Sequence, residues 1–137
     1  MTIKDWQDYI MQWAESKGWN RDLDISPFCI GTQLTNFHSE ISEAWEEIKN
    51  NKGINEIYFS QGEVATAYFD KSIGTQSDPL DVACAGCKPE GFPIELADLA
   101  IRLLHTCAFY GIDLERMIAI KMAYNKTRPF RHGGKTA

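Results

Sequence analysis

The sequence predicts an all-α fold, a bundle of about four helices with an irregular insertion between the second helix and the third. Three observations lead to this prediction. Apolar residues recur at helical spacing near both ends of the chain, two long central segments carry acids three residues apart, and the region between those segments lacks helical periodicity. The 137 residues suffice for a hydrophobic core, so we expect a single helical domain over residues 1–137.

The first helix is predicted from about Ile3 to Lys17, with Thr2 as its N-cap. Its apolar residues follow the spacing of a buried face. The expected buried residues are Trp6, Tyr9, Ile10 and Trp13.

The second helix is predicted from about Phe28 to Asn50. At about 100° per residue counted from Leu34, the acids Glu43, Glu47 and Glu40 lie at about 180°, 220° and 240°. They therefore share one side of the helix, whereas Glu46, at about 120°, is expected to be an ordinary surface acid. A separate apolar stripe, expected to pack, consists of Leu34, Phe37, Ile41, Trp45 and Ile48.

The insertion, about residues 52–91, is the least regular part of the sequence. Residues 56–60 and 64–69 are rich in aromatic and β-branched side chains, and a Ser-Gln-Gly sequence follows the first of them, which predicts a short β-hairpin. Residues 71–91 are rich in Gly, Ser, Asp and Pro. We expect a loop there, of a length typical of a lid, a binding loop or an interface arm.

The third helix is predicted to begin at Pro93 and to end before Gly111. It is apolar on nearly every side, so we expect it to be buried, with His105 as a hydrogen-bonded core residue. The fourth helix is predicted from Leu114 to about Thr127, with Asp113 as its N-cap. A basic tail, about residues 128–137, follows it.

Composition excludes several functional classes. The net charge of −5 argues against general nucleic-acid binding. Neither a bilayer-spanning apolar stretch nor a signal peptide is evident, so a cytoplasmic protein that does not bind membranes is expected. The four cysteines are expected to be free thiols. A single Cys84-Ala-Gly-Cys87 motif is half of a zinc site, and a metal or redox role for this pair is the less favoured alternative.

Two acid pairs carry most of the chemical information. Glu40 and Glu43 lie three residues apart on the second helix, and Glu95 and Asp98 do so on the third. Four converging carboxylates repel one another unless a cation lies between them, and Mg²⁺ prefers oxygen ligands. Alternatively, the second pair interacts with the dipole of its helix, and Asp98 pairs with Arg102.

These motifs resemble the MazG-like all-α nucleoside triphosphate pyrophosphohydrolases. The family combines a helix bearing ExxE with a later helix bearing ExxD, here Glu40-Ile-Ser-Glu43 and Glu95-Leu-Ala-Asp98. The resemblance extends to Lys88-Pro-Glu-Gly-Phe-Pro-Ile before the second motif, to Lys121-Met-Ala-Tyr-Asn125-Lys-Thr-Arg128 and to the final His132-Gly-Gly-Lys135. It covers most of the chain except roughly residues 54–87. The separation of Glu43 from Glu95 departs from the short connection common in the family.

The resemblance implies hydrolysis of (deoxy)nucleoside triphosphates to a monophosphate and pyrophosphate. Glu40, Glu43, Glu95 and Asp98 would hold Mg²⁺, and a water held by the metal or by a carboxylate would attack phosphorus in line. Glu47 is the additional candidate for orienting or deprotonating that water.

Substrate binding is assigned on the same resemblance. The predicted phosphate-binding residues are Lys121, Asn125 and Arg128, with Arg131 and Lys135 as weaker candidates. His38 and Trp45 are candidates for contacting the sugar or base, although an aromatic at helical spacing is more often in the core. The family's members are usually dimers or tetramers, so a homodimer or homotetramer is expected. The alternatives are a non-catalytic helical interaction module and a related pyrophosphatase with a specialised substrate such as phosphoribosyl-ATP.

Overall fold

The computed structural model describes residues 1–59 and 78–130. In these ranges the chain is mostly helical, with one small antiparallel sheet of two strands, which confirms the predicted fold class. The elements in chain order are α1 (Ile3–Ser16), α2 (Pro27–Lys49), β1 (Tyr58–Phe59), α3 (Pro79–Cys84), β2 (Pro89–Glu90), α4 (Phe92–Phe109) and α5 (Leu114–Asn125).

The predicted helix starts coincide with capping residues. At the start of α1 the Thr2 hydroxyl accepts from the backbone N–H of Asp5 at 3.1 Å, and the Asp5 carboxylate accepts from the N–H of Thr2 at 2.8 Å. At the start of α5 the Asp113 carboxylate accepts from the N–H of Arg116 at 3.1 Å. Both caps satisfy backbone donors that have no partner inside the helix. The two predicted caps are therefore confirmed.

The insertion contains more regular structure than its composition indicates. Tyr58 pairs with Glu90, so the partner of β1 is β2, whereas the predicted second strand at 64–69 lies outside the described residues. The prediction of a loop over 71–91 is wrong for α3 and β2. Asp78 accepts from the N–H of Leu80 at 2.9 Å and Pro79 occupies the first turn, so this short helix has a regular start.

The chain divides into two compact units. The first contains Met1–Cys29 and the chain from Leu103 onward, and the second contains Ile30–Arg102. The two acid motifs lie on the parts of α2 and α4 that belong to the second unit.

In the first unit, α1 packs against α5. The Gln7 amide donates to the carbonyl of Ile112 at 2.8 Å and accepts from the N–H of Leu114 at 3.2 Å, so a buried polar side chain joins the two elements. Ile10 is buried as predicted. The prediction is wrong for Trp6, Tyr9 and Trp13, which are exposed, because the small residue Ala14 and Gln7 occupy the covered side of α1 instead.

In the second unit, the covered side of α2 is displaced from its apolar stripe. The buried residues of the helix are Gln33, Glu40 and Ala44, which lie at about 240–280° on the angular scale used above. From the stripe, Leu34, Ile41 and Trp45 are exposed, so the prediction that it packs within the chain is wrong for them. A small core forms elsewhere in this unit, where Phe59 packs with Val82.

The apolar helix α4 is covered only in part. Of its residues, His105 and Cys107 are buried, whereas Leu96 and Leu103 are exposed, so the prediction of a fully buried helix is wrong for this chain by itself. The prediction for His105 is confirmed, because its Nε2 lies 2.6 Å from the side-chain oxygen of Asn20.

Candidate metal centre

Carboxylates from both acid motifs converge in the second unit. Glu40 on α2 and Glu95 and Asp98 on α4 each offer one oxygen, and these oxygens all lie within 4.8 Å of one another. Glu40 is buried, Glu95 is half-buried and Asp98 is exposed. Three of the four predicted metal ligands therefore lie together, one from α2 and two from α4.

Glu43 is not one of these three acids, but it interacts with them. Its pKa is raised above the ordinary value, first by loss of solvation and then by a hydrogen bond to Glu40 and the charge of that residue. The charge of Asp98 also raises the pKa of Glu43, whereas a hydrogen bond to Glu95 lowers it. The fourth predicted ligand is thus in electrostatic contact with the other three.

Loss of solvation and mutual repulsion both raise the pKa values of the acids in the cluster. Burial, followed by the charges of Glu43 and Asp98, raises the pKa of Glu95 to about 7. The pKa of Asp98, although the residue is exposed to solvent, is raised by partial loss of solvation and by the charge of Glu40, and the positive charges of Arg102 and Lys88 oppose this shift. A carboxyl group such as that of Glu95, which retains a proton near neutral pH, is stabilised by a cation that replaces the proton.

One carboxylate oxygen has an unfilled bonding capacity. Oε2 of Glu95 is buried and has no hydrogen-bond partner among the described residues. A buried oxygen of this kind is costly unless something binds to it. The donor set, made only of carboxylate oxygens, matches the preference of Mg²⁺. Glu40, Glu95 and Asp98 therefore fit a hard divalent cation, and Glu43 interacts with these three acids.

Arg102 contacts the cluster from α4. Its Nε donates to Oε1 of Glu40, which lies on the other acid-bearing helix. The alternative pairing of Arg102 with Asp98 inferred from the sequence is wrong as a direct ion pair, although Arg102 still lowers the pKa of Asp98 through its charge. Because Glu40 is buried, the guanidinium compensates a charge that would otherwise lack solvation.

Glu47, the additional acid of α2, is half-buried and bonded to a residue of the insertion. The Tyr58 hydroxyl donates to both carboxylate oxygens of Glu47, each at 2.8 Å. Sequence reasoning missed Tyr58, since an aromatic residue in a predicted strand carries no signal for a specific acid. Glu46 is exposed and pairs with Lys49 at 3.1 Å, which agrees with its prediction as a surface acid.

The two candidates for base or sugar contact also lie on α2. Both His38 and Trp45 are exposed to solvent, and Trp45 has 58% of its surface accessible. The expectation that Trp45 is a core residue is therefore wrong within this chain, while its stacking role remains a prediction. Phe37 is half-buried.

Two of the predicted phosphate-binding residues lie close to one aromatic ring in the first unit. The Lys121 ammonium lies 4.9 Å from the centroid of the Tyr124 ring, and the Arg128 guanidinium carbon lies 5.9 Å from it. Oδ1 of Asn125, the residue that follows Tyr124, is buried without a hydrogen-bond partner among the described residues. The structure thus brings Lys121 and Arg128 to the same ring. Arg131, His132 and Lys135 lie outside the described residues.

Cys84 is exposed, Cys87 and Cys29 are half-buried, and Cys107 is buried. Cys87 packs against the core formed by Phe59 and Val82.

No protein-family model, curated protein or solved structure matches this chain. Among the residues that the structure describes, none of the helices has the length and apolar character that a membrane span requires. Function is therefore inferred from the side chains described above.

Proposed function

We propose that this protein is a Mg²⁺-dependent hydrolase that cleaves (deoxy)nucleoside triphosphates to the monophosphate and pyrophosphate. The observation that carries the proposal is the convergence of Glu40, Glu95 and Asp98 around a buried, unpartnered oxygen of Glu95. Glu43 adjoins the set, because the charges of Glu40 and Asp98 raise its pKa. The resemblance to MazG-like enzymes supplies the reaction, and the acid cluster supports its metal requirement.

Each side chain has a distinct part in the proposed mechanism. Glu40, Glu43, Glu95 and Asp98 would hold the metal, and Arg102 holds Glu40 in place. Mg²⁺, when bound, supplies positive charge that neutralises phosphate oxygens and makes phosphorus more electrophilic. Glu47 lies one helical turn beyond Glu43, and it orients the attacking water and accepts its proton.

Phosphate recognition by Lys121, Asn125 and Arg128 remains a separate prediction. Charge-assisted hydrogen bonds from two cations and an amide suit phosphate oxygens. Lys121→Ala is expected to raise KM for the triphosphate at least as much as it lowers kcat, because binding is lost in the ground state as well. An unchanged KM would contradict this assignment.

We also propose that the protein works as a homodimer or homotetramer. Support comes from the apolar side chains that the chain leaves uncovered on α2 and α4, among them Ile41, Trp45 and Leu96. Large exposed apolar surface of this kind is typical of an interface between subunits.

The experiment that tests the enzymatic proposal measures pyrophosphate release from a panel of NTPs, dNTPs and phosphoribosyl-ATP with Mg²⁺. The variants are Glu43→Ala and, as a matched control on the same helix, Glu46→Ala, whose acid is exposed and paired with Lys49. We expect Mg²⁺-dependent activity that falls by at least about a hundredfold in Glu43→Ala and is retained in Glu46→Ala. Equal activity in both variants would contradict the proposal.

Mg²⁺ calorimetry separates the proposal from the interaction-module alternative. A hydrolase binds the ion through the acid cluster, and Glu43→Ala weakens that binding. A helical interaction module has no need of the ion. Absence of both activity and Mg²⁺ binding in the wild type would therefore favour the module.

A further inference from the structure

The hydroxyl of Tyr58 in β1 contacts the carboxylate of Glu47 in α2. The hydroxyl donates to both oxygens of this carboxylate at 2.8 Å, and both side chains are half-buried. The pKa of Tyr58 is raised above its usual range, first by burial and then by the hydrogen bond to Glu47. The phenol therefore stays protonated and remains a donor.

The strand that carries Tyr58 packs through its other residue, Phe59, on the face away from the Tyr58 side chain. Successive side chains of a strand point to opposite sides, so when Phe59 packs into the core with Val82, Tyr58 points away from that core. The Lys52 ammonium lies 4.6 Å from the centroid of the Tyr58 ring. The packing of Phe59 thus holds the strand, and Lys52 contacts the Tyr58 ring, whose hydroxyl donates to Glu47.

The same strand is joined to the start of α4. Tyr58 pairs with Glu90, and Gly91 leads from β2 directly into the helix that carries Glu95. Gly91 has φ of 122°, and a Cβ at this position would overlap the carbonyl oxygen of Glu56. Absence of a side chain therefore lets the segment before β1 approach α4 closely. Tyr58 connects this segment to α2.

We propose that Tyr58 is a positioning residue that holds the Glu47 carboxylate in the orientation in which it takes a proton from the attacking water. This inference rests on the proposed function. As the water oxygen forms its bond to phosphorus, its proton moves to Glu47, and the bridging oxygen of the anhydride keeps the electron pair of the bond that breaks. A carboxylate has about four lone-pair sites, so it accepts from Tyr58 and still receives this proton.

Fixing Glu47 in advance affects the rate and not the affinity. A free glutamate side chain samples many rotamers, and only some place its oxygens next to the water. Tyr58→Phe keeps the ring and removes only the donor. We expect kcat to fall about tenfold, while KM for the triphosphate and the Kd for Mg²⁺ measured by calorimetry stay within about twofold of the wild type.

The matched control is Tyr9→Phe, which removes a hydroxyl that has no hydrogen-bond partner among the described residues. It is expected to leave kcat unchanged. A double-mutant cycle tests the route of the effect: because Tyr58 acts through Glu47, adding Tyr58→Phe to Glu47→Gln should cause no further loss. Full and independent losses in the double variant would overturn the proposal, as would a Tyr58→Phe enzyme with wild-type kcat.

A second variant covers the case in which Tyr58→Phe folds poorly. Glu47→Asp keeps the charge but withdraws the carboxylate from the hydroxyl by one methylene, so it should show the same fall in kcat at unchanged Kd for Mg²⁺. Wild-type kcat in this variant would overturn the positioning role. If the wild type releases pyrophosphate and Glu43→Ala abolishes it, only the role of Tyr58 is at stake in these comparisons. A wild type without activity on the whole panel would overturn the proposed function and this role together.

Discussion

Nε of Arg102 on α4 donates to Oε1 of Glu40 on α2, so an arginine four residues after Asp98 neutralises an acid of the other motif. Glu40 is only 6% exposed, whereas the Arg102 side chain is 38% exposed. The pair therefore joins the two acid-bearing helices and provides one fixed positive charge next to four carboxylates.

Replacing Arg102 should reveal the cost of leaving Glu40 buried without its partner. We expect Arg102→Gln to lower the free energy of unfolding at pH 7 by about 1–2 kcal/mol, a value reduced for the partial exposure of the arginine. Urea unfolding measures this. The control Lys49→Gln breaks an exposed pair with Glu46 and should cost less than about 0.5 kcal/mol. Equal losses of unfolding free energy in the two variants would show that the buried pair stabilises the protein no more than the exposed pair does.

The raised pKa of Glu95, about 7, predicts a pH dependence of stability without metal. The folded protein retains a proton that the unfolded chain, with an ordinary pKa of 4.5, has released. The resulting stabilisation is fully present below about pH 4.5 and is lost as the pH rises through about 7. Glu95→Gln removes this loss. At pH 8 in EDTA its free energy of unfolding should therefore be about 1 kcal/mol higher than that of the wild type, after allowance for solvent screening.

Urea unfolding of both proteins at pH 5 and pH 8 checks this sign. The advantage of Glu95→Gln is expected to be smaller at pH 5. Glu46→Gln, at an exposed acid of α2, is expected to show the same difference from the wild type at both values. An advantage of Glu95→Gln that grows as the pH falls would refute the explanation.

A single methyl group added at Gly91 is expected to destabilise the fold strongly. Its positive φ and the overlap of a Cβ with the Glu56 carbonyl oxygen should make Gly91→Ala lose about 2–4 kcal/mol of unfolding free energy. Gly31→Ala is the matched control in the interior of α2, where a Cβ meets nothing within 4 Å. It should gain about 0.5–1 kcal/mol through helix propensity. The two glycines should thus respond with opposite signs in the same unfolding assay.

The uncovered stripe of α2 predicts a change of oligomeric state. Ile41 is 52% exposed in the single chain, and a charge placed there would be buried in an interface between subunits. We expect Ile41→Lys to shift the mass measured by light scattering from a dimer or tetramer to a monomer. Ser39→Lys, at an exposed position on another side of the same helix, should retain the wild-type mass. A wild type that is already a monomer would remove the basis for the oligomer proposal.

Sequence alone was sufficient for features that depend on near neighbours. Helix caps such as Thr2 and Asp113 act within four residues, and the spacing of Glu40 with Glu43 and of Glu95 with Asp98 places each pair on one helix side. These local rules hold whatever the helices pack against. They predicted the all-α class and the helix side on which each acid pair lies.

Only the tertiary structure decided which helix sides are covered and which distant residues meet. On α2 it is Glu40 and not Ile41 that is buried, and Arg102 pairs with Glu40 and not with Asp98. Tyr58, in the insertion, donates to Glu47 of α2. Each of these outcomes depends on the rotation of a helix about its axis and on strand pairing over long stretches of chain. A rotation of one residue position, about 100°, exchanges one set of neighbours for another, and periodicity within a single helix carries no information about that choice.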